Sequence, residues 1–176
     1  MNICDFSITA LPRIFFGDGQ LSQLPNLIAE HGRQILLVCG GSAFVDSPYW
    51  QELQQGLQQA EIGYQLFHVT AEPSPAMVDE AVSQFTSRGI EVVVGIGGGS
   101  VLDAAKAIAG LLPTGNSVLD HLEDVGRGLP YEGGALPFIA VPTTAGTGSE
   151  ATKNAVLSEH GPEGYKKSFR HDSLVA

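Results

Sequence analysis

GIGGGSVLDAAKAIAG, residues 95–110, is the stretch on which the fold turns. An apolar run, Glu91–Ile96, enters a turn of small residues, Gly97-Gly98-Gly99-Ser100, and an apolar helical pattern leaves it. Bare glycines at such a junction leave backbone N–H groups uncovered at a helix N-terminus, whose partial positive charge attracts phosphate. A second turn of this kind follows the strand in PFIAVPTTAGTGSEAT, residues 137–152. There Thr143, Thr144, Thr147 and Ser149 set hydroxyls around Gly146 and Gly148, a group suited to phosphate oxygens or ribose hydroxyls. The first turn is neither the GxGxxG fingerprint nor a P-loop, because Ser stands at position 100 and no GK[ST] follows. Read singly, it also fits a plain tight connection, and Thr143 and Thr144 also fit local capping of the backbone. Taken together, the two turns point to a pyrophosphate cradle.

The same rhythm extends outward. Further apolar, β-branched runs stand at Ile35–Cys39, Tyr64–Val69, Pro137–Val141 and Ala155–Leu157. Ser47-Pro48 and Ser74-Pro75 pair an N-cap residue with proline at the first helical position, and predict helices to about Ala60 and Arg88. Ser100-Val101-Leu102-Asp103 has the form of a capping box, and Val101, Leu102, Ala105, Ile108, Ala109 and Leu112 share one helical face. Strands alternating with helices imply an α/β fold: a Rossmann-like parallel sheet flanked by helices. Arg13-Ile14-Phe15-Phe16-Gly17 belongs to an opening segment that reads as an extra edge strand or hairpin. Residues 113–136 read as loop with one short helix near 117–123, and Ser173–Ala176 as the start of another strand. A pattern that stops there predicts that the sequence is one part of a longer polypeptide.

Composition narrows the function. The 176 residues make one domain, with 43% apolar and 16% charged residues. A net charge of −10 opposes nucleic-acid binding, which needs a basic face. No apolar run reaches the length of a membrane span, and no secretory leader opens the sequence. Cys4 and Cys39 form no CxxC and fit a reduced, cytoplasmic protein. Among His31, His68, His121, His160 and His171 there is no HxxH or HxxxH pair, so no metal site is expected in this chain.

The chain resembles the N-terminal domain of iron-dependent (group III) alcohol dehydrogenases, in the dehydroquinate-synthase-like superfamily. The resemblance runs nearly end to end. It rests on Arg13–Gly17, Glu72-Pro73-Ser74-Pro75, GGGSVLDAAKAIA, Leu119-Asp120-His121-Leu122-Glu123 and, most specifically, PTTAGTGSEAT. The last motif favours the alcohol dehydrogenase branch over dehydroquinate synthases and glycerol dehydrogenases, which carry other residues there.

Several expectations follow from the resemblance. Residues 1–176 are the NAD(P)-binding domain, and a C-terminal helical domain that holds Fe²⁺, Zn²⁺ or another divalent metal through one Asp and three His is absent from this chain. Gly97, Gly98, Gly99 and Ser100 contact the cofactor pyrophosphate. Thr143, Thr144, Thr147 and Thr152 line the adenosine and ribose side. Lys167, with Lys166 as the competing register, reaches the ribose nearer the nicotinamide, although both also fit a solvated surface pair. Asp103 lies in the matched motif and equally fits a helix cap; beside a phosphate it should face a hydroxyl or an amide. At the position where the family often has a carboxylate for the adenosine ribose, Gly40 stands, which favours NADP over NAD; a tight turn selecting neither is the alternative. Glu72 departs from the family's usual Asn. The whole enzyme would transfer hydride between the nicotinamide and an alcohol or aldehyde polarised by the metal, as a homo-oligomer, commonly a dimer. The alternatives are a non-catalytic nucleotide-binding module, or a related oxidoreductase such as a polyol dehydrogenase or maleylacetate reductase.

Overall fold

A computed structural model of the chain describes residues 11–176. Four strands form the main sheet: β1 (Gln34–Gly40), β2 (Gly63–Val69), β3 (Val92–Gly97) and β4 (Phe138–Pro142). Their spatial order is β2-β1-β3-β4 and every pairing is parallel. The helices are α1 (Leu24–Ala29), α2 (Pro48–Gln59), α3 (Pro75–Phe85) and α4 (Gly99–Leu111). Alternation along the strands sends Leu36, Val38 and Val93 to one face and Ile35, Leu37, Cys39, Val92, Val94 and Ile96 to the other. The first face packs against α3 and α4, the second against α1 and α2. With both faces covered, the strands need no polar side, and β3 is buried along its whole length.

The order of strands reverses direction between β1 and β3. From β1 the chain winds outward to β2, then crosses back to β3 and winds the other way to β4. In open α/β sheets, the crevice at the carboxyl ends of such a pair is where ligands sit. Gly95 lets α4 approach the sheet closely, since a Cβ there would stand 2.9 Å from Ala105 Cβ.

Several expectations are corrected. The strand at Ala155–Leu157 does not extend the parallel sheet. It lies in β5 (Asn154–Glu159), which pairs antiparallel with β6 (Tyr165–Arg170) as a separate hairpin. No crossover helix stands between β4 and β5, and parallel return needs one, whereas the short His160–Gly164 link suits a hairpin. Ser173–Ala176 is no strand: Asp172–Leu174 form a 3₁₀ turn that presses Leu174 onto α4 at Gly110. Helix α4 starts with Gly98 as N-cap, so Ser100 and Asp103 are inside the helix and form no capping box. The Gly98 carbonyl accepts from the N–H groups of Val101 (3.0 Å) and Leu102 (3.1 Å). Helix α3 ends at Phe85, three residues before the expected Arg88. Residues 11–16 carry no regular structure, and the rest of the expected edge strand, residues 1–10, falls outside the described residues. The short helix expected near 117–123 is a 3₁₀ turn at Val118–His121.

Candidate functional site

Both glycine-containing loops leave the carboxyl edge of neighbouring strands, and backbone geometry joins them. Gly97 and Pro142 are paired in register, and the Thr143 N–H donates to the Gly97 carbonyl at 2.9 Å. A Cβ at Gly98 would lie 3.2 Å from Thr144 Oγ1, and one at Gly99 would lie 2.9 Å from Thr147 Cγ2. The two loops thus touch along Gly98–Gly99, most tightly at Gly99, where a side chain would have to displace Thr147. No side chain caps the N-terminus of α4, so its first N–H groups face this junction free for an anion. Gly146 and Gly148 turn the second loop with φ of 99° and 70°, a region that L side chains rarely adopt.

Next to this junction lies a groove of about 250 Å³ lined by Gly99, Ser100, Asp103, Thr147, Ser149 and Lys166, among others. Asp103 sits in its wall with only 8% of its surface exposed. Burial holds its carboxyl above the ordinary carboxylate range, against the Ser149 hydroxyl, the Lys106 charge and the Val156 amide, which all pull it down. Its Oδ1 has no partner. A buried carboxylate oxygen without a donor is uncommon, and this one belongs to a residue of the groove wall. Asp103 thus lies beside the Ser149 hydroxyl and the Val156 amide, inside α4 and not at its cap.

The expected residues do not all gather here. Gly97, Gly98, Gly99, Ser100, Thr143, Thr144 and Thr147 converge on the junction. Gly40 ends β1 across the crevice, and a Cβ on it would stand 3.1 Å from Val101 Cγ2. Close packing is thus one reason for glycine at that position. Thr152 is exposed and outside the groove lining; its carbonyl and Oγ1 turn to Lys106. Lys167 turns away: its Nζ donates to Asp124 Oδ2 at 2.7 Å. Neighbouring residues of a strand point to opposite sides, so Lys166 is the one that reaches the groove, where its Nζ lies 3.5 Å from Glu72 Oε1. Ser149, read from the sequence as one of the loop's hydroxyls, lines the groove, and Lys106 lies buried behind it, a residue to which the sequence reading gave no role. For Lys106 a signal existed, namely a lone charge inside the small-residue run AAKAIAG.

Among the described residues, no group of three or more His, Cys, Asp or Glu side chains is placed to hold a metal ion. The described residues do fit a dinucleotide, through the uncapped helix N-terminus, the glycine junction and the unpartnered Asp103 oxygen in the groove wall. None of the described helices is long and apolar enough to cross a membrane.

The family model for iron-containing alcohol dehydrogenases matches residues 12–176. The chain belongs to that family. Long-chain-alcohol dehydrogenase 1 of Geobacillus thermodenitrificans is 35% identical over 167 residues, covering 94% of this chain and 41% of that protein. The crystal structure of NADH-dependent butanol dehydrogenase A from Thermotoga maritima superposes with a TM-score of 0.85 at 26% identity, over 97% of this chain and 42% of that one. Sulfoacetaldehyde reductase from Bifidobacterium kashiwanohense, solved in complex with NAD+, gives 0.78 at 29% identity, over 98% and 45%. The chain therefore spans less than half the length of these relatives.

Proposed function

We propose that this chain is the dinucleotide-binding domain of an NAD(P)-linked alcohol dehydrogenase. The observation that carries this reading is the contact between the two loops at the point where the sheet reverses, beside an uncapped helix N-terminus. Gly97, Gly98, Gly99 and Ser100 offer backbone N–H groups and a hydroxyl to the pyrophosphate. Thr143, Thr144 and Thr147 supply hydroxyls across from them. Asp103 accepts from a hydroxyl or amide of the bound cofactor, and Lys166, in place of Lys167, approaches its ribose. Thr152 acts through the backbone of the second loop. When bound, the nicotinamide supplies the hydride exchange between alcohol and aldehyde; the chain's own residues orient it and neutralise its phosphates.

Gly40 offers no carboxylate to repel a 2′-phosphate, so NADP is favoured over NAD. The metal and substrate sites lie on a further, C-terminal part of the polypeptide, consistent with the coverage of the relatives. Alone, with Fe²⁺ or Zn²⁺ added, the chain oxidises no alcohol; robust turnover overturns that assignment. Fluorescence titration with NADPH and NADH tests the central claim. Saturable binding that Gly98→Val weakens supports it, and the absence of binding to the folded chain refutes it.

A further inference from the structure

Lys106 stands one helical turn below Asp103 and has no exposed surface at all. A lysine ammonium carries three N–H donors. Here they go to the backbone carbonyls of Ser149 (2.6 Å), Thr152 and Asn154 (3.0 Å), and Thr152 Oγ1 lies 3.5 Å away. Those carbonyls belong to the stretch that carries the second loop into β5. None of the five ion pairs among the described residues includes Lys106. Its charge is thus bonded to backbone, and acts through space on Asp103 from its own helix and on Glu150 from the second loop. Asp103 Oδ1 and Glu150 Oε2 are both buried without partners.

A buried charge costs more than a methionine of the same length, so space filling does not account for it. What the ammonium adds is a fixed link. Helix α4 carries the first glycine loop at its N-terminus, and the second loop's floor hangs on the same helix through Lys106. The link also sets one positive charge between two carboxylates beside the groove, where negative charge would otherwise repel a phosphate.

We propose that Lys106 is a positioning residue for the dinucleotide: it sets the spacing of the two loops and balances Asp103 and Glu150 beneath the phosphate site. This inference rests on the dinucleotide reading given above. The groups that face its ammonium are Asp103 on α4 and Glu150 on the second loop, and Lys166 on β6 faces the same Asp103 carboxylate. Burial draws the Lys106 ammonium down to about 8, so its charge is lost within an accessible pH range.

The test titrates the wild-type chain and Lys106→Met with NADPH and with NADH from pH 7 to 9, with thermal unfolding followed on the same samples. For the wild type, affinity for both cofactors should fall several-fold, up to about tenfold, between pH 7 and 9 while the protein stays folded. Folded Lys106→Met should bind at least tenfold more weakly at pH 7 and show no such pH step. A merely structural lysine would change the melting temperature and leave both the affinity of the folded molecules and their pH profile alone; that result overturns the inference. Should Lys106→Met fail to fold, the wild-type profile decides: a flat one overturns the proposal, a step supports it. If the folded wild type binds neither cofactor at pH 7, the dinucleotide reading itself falls.

Discussion

Gly97 and Gly98 are neighbours, yet alanine at each should do opposite things. At Gly97 a Cβ would lie 2.6 Å from Val101 Cγ2 and 2.7 Å from Val101 Cβ. Val101 is β-branched, nearly restricted to one rotamer in a helix, and cannot swing clear. Gly97→Ala therefore overpacks the strand–helix junction, at a cost of about 1–3 kcal/mol. For a domain of this size that lowers the melting temperature by about 2–12 °C. At Gly98 the backbone, with φ −80° and ψ −174°, is open to any L residue, and the nearest atom to a Cβ is the rotatable Thr144 hydroxyl at 3.2 Å. Losing unfolded-state freedom stabilises Gly98→Ala by about 0.4–1 kcal/mol, enough to offset minor crowding. Its melting temperature should stay within about 3 °C of wild type. The added methyl nevertheless projects into the junction proposed for the pyrophosphate. A tenfold rise in Kd, about 1.4 kcal/mol, is the least expected. Scanning calorimetry and cofactor fluorescence on both variants give four numbers. Wild-type melting of Gly97→Ala would refute the packing argument. Wild-type affinity of a stable Gly98→Ala would refute the placement of phosphate at this turn.

Other perturbations have definite expectations. Lys106 releases its proton near pH 8 in the folded chain and about 10.4 unfolded, so its burial cost is full below pH 8 and is relieved above it. Stability should rise between pH 8 and 9 by at most about 1.4 kcal/mol, a trend absent in Lys106→Met and readable by urea titration. Above pH 9 Cys39 opposes this, because burial pushes its thiol up to about 11 and the unfolded chain ionises first. Gly40→Asp places a carboxylate at the end of β1 and should weaken NADPH relative to NADH at least tenfold; an unchanged ratio removes the cofactor preference argued from Gly40. That variant also presses on Val101, so melting is measured alongside. Ile14 and Phe16, 69% and 97% exposed, should drive the chain to self-associate. Sedimentation of Ile14→Ser/Phe16→Ser as a monomer beside an associating wild type would support this, and a wild type that is monomeric at high concentration would refute it.

The strand–helix rhythm was legible because burial on both faces leaves near-continuous apolar runs, and because Ser47-Pro48 and Ser74-Pro75 mark helix starts that local chemistry fixes. Ser74 does cap α3, accepting from the Met77 N–H at 3.2 Å, whereas Ser47 holds the N-cap position of α2 but turns its hydroxyl to the Phe44 carbonyl. Ser100 looked like the same signal and was not, since β3 delivers Gly98 in an extended conformation and the helix begins before the serine is reached. The choice between Lys166 and Lys167 depends on which face of β6 meets the groove. That is set by a hairpin register, Leu157 opposite Lys167, which no local pattern encodes. Lys106 stood out as a lone charge in a small-residue run, but its partners were hidden for a related reason. Its three acceptors are main-chain carbonyls more than forty residues away, and carbonyls have no side-chain signature.

Helix α4 lies between the parallel sheet and the β5–β6 hairpin, and every residue of it from Val101 to Leu111 is buried. Its interior amides can exchange with deuterium only when the whole domain opens. A ligand seated at its N-terminus then slows that exchange by a factor of one plus the free ligand concentration over Kd. The occupancy of the crevice is thus recorded far from it, at amides around Ile108 that never touch the ligand.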